Sequence, residues 1–207
     1  MSASVKLFPT SDKLPSELCL DTSFVIEVYF TPDNPSLMNK RKTSCDELFS
    51  KILAETDAEK RTITTTVHGE VIEKIIEYNV CKHLDTNARI KYGARQIWRE
   101  YYKANRFRYP DLKRTIDGEI EKFHQWQGDN KILTLPFKYN PGLSIITSEQ
   151  KALFLEIAEY CKRFRILPSD ARIIIEARHR GINQFVSLDS DFKNVDGITV
   201  YSFNKDK

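Results

Sequence analysis

The chain is short of glycine and cysteine, and it lacks a long run of apolar residues. Only 7 of its 207 residues are Gly, and none of them is arranged as G-x-G-x-x-G, which argues against a dinucleotide-binding Rossmann protein. The 4 Cys are scattered without a C-x-x-C pair, so neither a structural zinc site nor a small disulfide framework is expected. No stretch approaches the roughly 18 apolar residues that a membrane span requires.

The first residues, MSASVKLFPTSDKLP, also lack the apolar stretch of a signal peptide. We therefore expect a soluble, cytoplasmic protein that does not engage a membrane and keeps its thiols reduced. The length suits one domain with a sizeable insertion. A net charge of +3, from 32 Lys and Arg against 29 Asp and Glu, does not by itself indicate a nucleic-acid binder.

Strand-like and helix-like segments alternate along the chain. Apolar or β-branched strand patterns occupy residues 17–20, 62–67, 184–188 and 198–203. Segments with helical periodicity begin near Phe24, Ser44, Gly69, Ser148 and Ser169. This alternation predicts an α/β fold with an open, mainly parallel sheet flanked by helices. Residues 128–147 hold two Gly and two Pro, which predicts an irregular connection.

Carboxylates fall where the predicted strands end or where a helix leads into one. They are Asp21, Glu70, Asp170, Asp189 and Asp191. In an open parallel sheet the ligand crevice lies outside the carboxyl ends of the strands, so we expect these acids to converge on one rim. Crowded carboxylates need a compensating cation, and an oxygen-only set suits Mg²⁺ or Mn²⁺. Such an ion activates water and stabilises charge on phosphate oxygens, which predicts phosphodiester hydrolysis.

Each acid also has an ordinary structural explanation. Asp21 suits the N-cap of the helix that follows its strand, and Asp170 suits the first turn of a helix, where it complements the macrodipole. The segment Asp189-Ser-Asp191 is typical of a polar turn. The joint placement of all the acids on one predicted rim is what favours a functional site.

Several short motifs recur around these acids. They are Leu20-Asp-Thr-Ser23, Glu70, Leu167-Pro-Ser-Asp170-Ala171 followed by Ile-Ile-Ile-Glu-Ala177, Gly181 and Val186-Ser-Leu-Asp189-Ser-Asp191-Phe192. Together they resemble the PIN-domain nucleases, and most of all the ribonuclease toxins of that family. The resemblance covers residues 17–78 and 148–203.

The resemblance implies a Mg²⁺- or Mn²⁺-dependent endoribonuclease that acts on single-stranded RNA. Its catalytic and metal-binding acids would be Asp21, Glu70, Asp170 and Asp189, with Asp191 as a further metal ligand and with Ser23 and Ser187 in supporting positions. It also implies one PIN-like domain over residues 1–207, with its core at 17–78 and 148–203 and a helical insertion at about 80–147. The biological role implied is that of a toxin or defence enzyme held in check by an inhibitory protein partner.

The predicted insertion is strongly basic over residues 82–114, where ten Lys or Arg face three acids and the local net charge is +7. On a helical wheel a cationic row forms beside an arc that contains Trp98 and Tyr101. The row consists of Lys91, Arg95, Arg99, Lys103 and, close by, Arg106. We expect it to bind RNA, with neighbouring aromatic rings as stacking surfaces. An ordinary solvated face, a partner surface and a homodimer interface are the alternatives.

Several other functions were compared with this prediction. A haloacid-dehalogenase-like phosphatase needs a second acid at position 23, which is Ser, and a serine hydrolase needs a G-x-S-x-G elbow that the chain lacks. A non-catalytic RNA-binding or scaffold protein remains open, as does a DNA- or flap-directed nuclease, because the same carboxylate chemistry serves either polymer.

Overall fold

A six-stranded sheet in which every pair of neighbours is parallel organises the computed structural model, which describes residues 3–8, 13–30, 40–84, 94–105, 108–135 and 148–203. The strands are β1 (Ser4–Phe8), β2 (Leu18–Leu20), β3 (Arg61–Thr64), β4 (Ile132–Leu135), β5 (Gln184–Val186) and β6 (Thr199–Phe203). Their order across the sheet is β1-β6-β5-β2-β3-β4. Every residue of the interior strands β2 and β3 is buried, as expected for a parallel sheet covered on both faces.

Seven α-helices lie among the described residues. They are α1 (Thr22–Tyr29), α2 (Lys40–Glu55), α3 (Thr65–His83), α4 (Ala94–Asn105), α5 (Pro110–Asp129), α6 (Ser148–Phe164) and α7 (Pro168–Arg178). Short 3₁₀ turns occupy Ala58–Lys60 and Asp191–Asn194. The predicted α/β class with a parallel sheet is confirmed. None of the helices in the described ranges has both the length and the apolar character needed to cross a bilayer.

The chain divides into two compact units. The first consists of Met1–His68 and Asn130–Lys207 and contains the whole sheet, and the second consists of Gly69–Asp129. In the second unit a small core forms from Val80, Leu84, Trp98, Leu112 and Ile116. Helix α3 begins in the first unit and continues into the second.

The sequence-based expectation does not include β1, and the bounds of several other segments differ from it. Two of the differences lie next to β3. The strand predicted at 62–67 ends at Thr64, because the Thr64 hydroxyl accepts the Val67 N–H at 3.2 Å and so caps a helix that begins at Thr65. Part of the connection predicted to be irregular forms β4, which extends the sheet beside β3. Residues 136–147 of that connection lie outside the described residues.

A buried arginine at the amino end of β3 binds three backbone carbonyl groups. Its side chain, that of Arg61, donates to the carbonyl oxygens of Leu53 at 2.6 Å, Thr56 at 2.8 Å and Asn130 at 3.1 Å. Arg61 is only 8% exposed. One guanidinium therefore ties the end of α2 and the turn before β4 to the central sheet.

We predict that Arg61→Met destabilises the sheet unit. The substitution leaves three carbonyl groups without their charged donor, which should cost about 2–4 kcal/mol in the free energy of unfolding. Urea titration followed by circular dichroism measures the change. Lys60→Met is the matched control, because the neighbouring Lys60 is exposed and should change stability by less than about 0.5 kcal/mol. Equal unfolding midpoints for the two variants would contradict the role assigned to Arg61.

Candidate active site

The strand order reverses between β2 and β5. From β2 the chain proceeds to β3 and β4 on one side, whereas β5 lies on the other side of β2 with β6 beyond it. The carboxyl ends of β2 and β5 therefore adjoin, and the Asp21 N–H donates to the Val186 carbonyl oxygen at 3.0 Å. Open α/β sheets bind their ligands at such a switch point.

Asp21 lies at this point as a buried carboxylate that is 3% exposed. The hydroxyl groups of Ser23 and Ser187 both donate to its Oδ2 atom, at 2.6 and 2.8 Å. Burial raises the pKa of Asp21, and the hydrogen bonds from the two serines partly oppose that shift. In the part of the chain that the structure describes, the donors to Asp21 are hydroxyl and backbone N–H groups, and none of them carries a positive charge.

The two serines connect Asp21 to the segment that follows β5. The Ser23 hydroxyl accepts the Leu188 N–H at 3.1 Å, and the Ser187 hydroxyl accepts the Asp189 N–H at 3.0 Å. Each hydroxyl thus donates to Asp21 and accepts from the backbone, which fixes its rotation. The hydrogen bonds hold the carboxyl ends of the two strands in one arrangement.

Asp21 and Asp189 also have the local structural roles, in a helix cap and in a turn, that their positions in the sequence suggest. Asp21 is the N-cap of α1, but its bond from the Ser23 N–H measures 3.4 Å and is longer than those from the two hydroxyls. Asp189 accepts the Asp191 N–H on Oδ1 at 2.9 Å, which forms a polar turn. Capping alone does not explain why Asp21 is buried, because an N-cap side chain needs only to accept a backbone N–H from the first turn of its helix.

Two of the predicted acids lie on α-helices. Asp170 is the third residue of α7, in the sheet unit with Asp21 and Asp189, and its Oδ2 atom is shielded from solvent. Glu70 does not open a helix as expected, because α3 begins at Thr65 and Glu70 is its sixth residue. Glu70 belongs to the second unit, and its place in the acidic set stays a prediction.

A further acid, Glu176, was missed by the analysis of the sequence. It is 6% exposed on α7 and accepts hydrogen bonds from Thr65 and Thr66, which follow the carboxyl end of β3. The charges of Asp21 and Glu176 both raise the pKa of the buried Cys19 thiol, after the larger effect of burial. The sequence feature that indicates a buried acid here is a single charged residue within an apolar run, Ile-Ile-Ile-Glu-Ala177.

The acidic side chains at the switch point are candidate ligands of a divalent ion. Across the described ranges, no three His, Cys, Asp or Glu side chains stand together as a ready-made metal-binding group. Mg²⁺, however, is usually held by one or two carboxylates together with waters and substrate phosphates. Asp21 and Asp189, which are connected through the Ser187 hydroxyl, supply two carboxylates of this kind. Neither serine contacts the Oδ1 atom of Asp21.

The predicted cationic row is described only in part. Lys91 and Arg106 lie outside the described residues, as does the side chain of Arg95. The Nε atom of Arg99 donates to Oε1 of Glu73 at 2.9 Å, and the Nζ atom of Lys103 lies 3.4 Å from Oε1 of Glu100. The side chains of Arg99 and Lys103 are 64% and 70% exposed, so both are accessible although each has an acidic neighbour.

The chain is similar to solved structures but matches no family model and no curated sequence. Among solved structures, the crystal structure of FitAcB from Neisseria gonorrhoeae aligns with 90% of this chain and 96% of that chain, at 17% sequence identity and a TM-score of 0.38.

We predict that Asp21→Asn stabilises the metal-free protein in a pH-dependent way. Burial raises the pKa of Asp21 above its value in the unfolded chain, so ionisation of this carboxyl opposes folding. The protonated Asp21 side chain therefore stabilises the folded state fully below about pH 4, and this stabilisation is lost as the pH rises through the higher pKa of the folded state. The variant lacks this titration, so its advantage in Tm should grow above about pH 4 and reach a few degrees.

Thermal unfolding in chelator across a pH series measures this difference. Asp129→Asn, which removes the same charge from an exposed position at the end of α5, is the control and should change Tm by less than about one degree. A difference in Tm between Asp21→Asn and wild type that does not vary with pH would contradict the prediction.

Proposed function

We propose that this protein is a divalent-metal-dependent nuclease that cleaves single-stranded RNA internally. The observation that carries the proposal is the buried Asp21 carboxylate at the switch point of the sheet, oriented by two serines and without a positively charged donor among the described residues. A buried carboxylate in this state favours the approach of a cation. The sequence motifs around Asp21, Asp170 and Asp189 resemble those of PIN-domain nucleases, which supports the same conclusion.

In this proposal the acids hold Mg²⁺ or Mn²⁺, and the serines set the orientation of Asp21. The acids are Asp21, Glu70, Asp170, Asp189 and Asp191. Ser23 and Ser187 donate to Oδ2 of Asp21 and make no contact with its Oδ1 atom, which is the proposed ligand to the ion. When bound, the ion supplies an activated water and stabilises negative charge on the phosphate.

The basic row of the second unit is the proposed RNA-binding surface. Arg99 and Lys103 are exposed on α4, and the half-buried Tyr102 on the same helix is the proposed aromatic surface on which a base can stack. Single strands are bound through backbone charge and base stacking, which this combination of residues supplies.

The biological role that we propose is that of a toxin or defence ribonuclease with an inhibitory protein partner. It rests on the resemblance of the motifs to the ribonuclease toxins of the PIN family. A homodimer through the second unit is an alternative use of the same surface.

We predict that the purified protein cleaves single-stranded RNA when Mg²⁺ or Mn²⁺ is supplied and stops in chelator. Asp21→Asn keeps the shape of the side chain and removes its charge, so the rate should fall by at least about 100-fold, more than the loss of an outer-shell partner usually causes. Gel assays with RNA and DNA of the same sequence, side by side, measure the rate and the choice of polymer.

Asp129→Asn, which changes an exposed residue at the end of α5, should cleave at the wild-type rate. Cleavage that survives both chelator and Asp21→Asn would refute the metal mechanism. Binding of RNA without cleavage would indicate a non-catalytic RNA-binding protein. Preferential cleavage of DNA would indicate a DNA-directed nuclease. Cells that express wild type should grow more slowly than cells that express Asp21→Asn, and equal growth would contradict the toxin role.

We predict that RNA binding depends on the basic row through its charge. Each phosphate contact on a single strand contributes about −0.7 to the slope of log K against log salt, so the double variant Arg99→Gln, Lys103→Gln should flatten that slope by up to about 1.4. The Asp21→Asn background prevents cleavage during the titration, and fluorescence anisotropy at several salt concentrations gives the slope.

The matched control is the double variant Lys74→Gln, Lys122→Gln. These two lysines are exposed in the second unit and lie beside glutamates, as Lys103 does, but they do not belong to the row. Their variant should keep the wild-type slope. Glu73→Gln should strengthen binding, because it releases Arg99 from its ion pair. Equal slopes for both double variants would assign the row to solvent or to a protein partner.

A further inference from the structure

The buried carboxylate of Glu176 receives four hydrogen bonds. Its Oε2 atom accepts from the Thr65 hydroxyl at 3.2 Å and from the Thr66 N–H at 3.3 Å. Its Oε1 atom accepts from the Thr66 hydroxyl at 3.0 Å and from Arg172 Nε at 2.8 Å. A carboxylate offers about four lone-pair positions, so these donors use all of them.

This saturation separates Glu176 from Asp21. Both acids are buried on the sheet unit, and both act electrostatically on Cys19. The Ser23 and Ser187 hydroxyls and the Ser23 N–H all donate to Oδ2 of Asp21 and are neutral, whereas the donors to Glu176 occupy both of its oxygens and include the cationic Arg172. Glu176 is therefore unsuited to bind an ion directly, because a ligand oxygen needs an available lone pair.

The four bonds connect two parts of the sheet unit. Thr65 and Thr66 form the first turn of α3, directly after β3, and Glu176 and Arg172 lie on α7. Asp170 precedes Glu176 by six residues on the same helix, about 9 Å along the axis at 1.5 Å per residue. The position of Asp170 relative to the carboxyl end of β3 thus depends on how firmly α7 is joined to the first turn of α3.

We propose that Glu176 is a positioning residue of the acidic site, which fixes α7 and its Asp170 to the first turn of α3 without touching metal or substrate. The inference rests on the proposed nuclease function for its consequence, but the joint itself can be measured without metal. Arg172 neutralises the buried charge of Glu176 and so completes the joint.

The test is Glu176→Gln, which keeps the side-chain size but offers one accepting oxygen in place of two. Two of the four donors then lose their acceptor, and a bond to a charged acceptor corresponds to about a tenfold or larger change in an opening equilibrium. We therefore expect amide hydrogen exchange at Thr66 and Val67 in the metal-free protein to accelerate at least about tenfold. Calorimetry should show Mn²⁺ binding weakened by about 10–100-fold, with a comparable loss of kcat.

Two further variants keep this test decisive. Glu119→Gln removes the same charge from an ion-paired glutamate of α5 and should leave exchange, Mn²⁺ binding and cleavage at wild-type values. If Glu176→Gln does not fold, Thr66→Val removes one donor to the same carboxylate and should shift all three measurements in the same direction by a smaller factor.

Unchanged exchange at Thr66 and Val67 would overturn the inference, as would faster exchange with unchanged Mn²⁺ affinity and unchanged cleavage in a folded variant. The latter outcome would make Glu176 a structural residue only. Failure of the proposed nuclease function would show differently: wild type itself would neither bind Mn²⁺ nor cleave, while the exchange measurement would still decide whether Glu176 joins α7 to α3.

Discussion

The parallel pairing of β2 with β5 is the constraint on which the candidate site depends. The two strands are far apart in the chain, yet Cys19 and Leu20 pair with Phe185 and Val186 in register. This pairing makes the residues after both strands neighbours and places Asp21 within reach of Ser187. A shift of the pairing by one residue would reverse the faces of every side chain on the strand and separate these groups.

Among the described residues of the sheet unit two carboxylates are buried, and their hydrogen-bond partners differ in charge. Glu176 has a cationic partner and a full set of donors, so its burial is compensated within the protein. Asp21 has only neutral donors among the described residues, and burial raises its pKa. Such an uncompensated group is a source of instability in the free protein, and functional sites are where such costs are usually retained.

Sequence periodicity gave the class of fold and most of the elements correctly, because strands and helices leave different spacings of apolar residues. It placed the start of α3 too late, since the β-branched residues Thr65 and Thr66 have strand propensity but are held in a helix by the Thr64 cap and by Glu176. It also missed β4, whose exposed Leu133 and Thr134 give an edge strand only weak signals. In both cases long-range contacts outweighed local preference.

Spacing along the chain was sufficient to predict that acids follow the strands and that serines lie two residues from Asp21 and from Asp189. The folded chain was needed to show that Ser23 and Ser187 donate to the same oxygen of Asp21. The folded chain was also needed to show that Glu176 is buried and accepts four hydrogen bonds, although its spacing from Arg172 is that of an ordinary exposed helical pair. Burial and hydrogen-bond partners depend on which strands become neighbours, and that information is not contained in any local pattern.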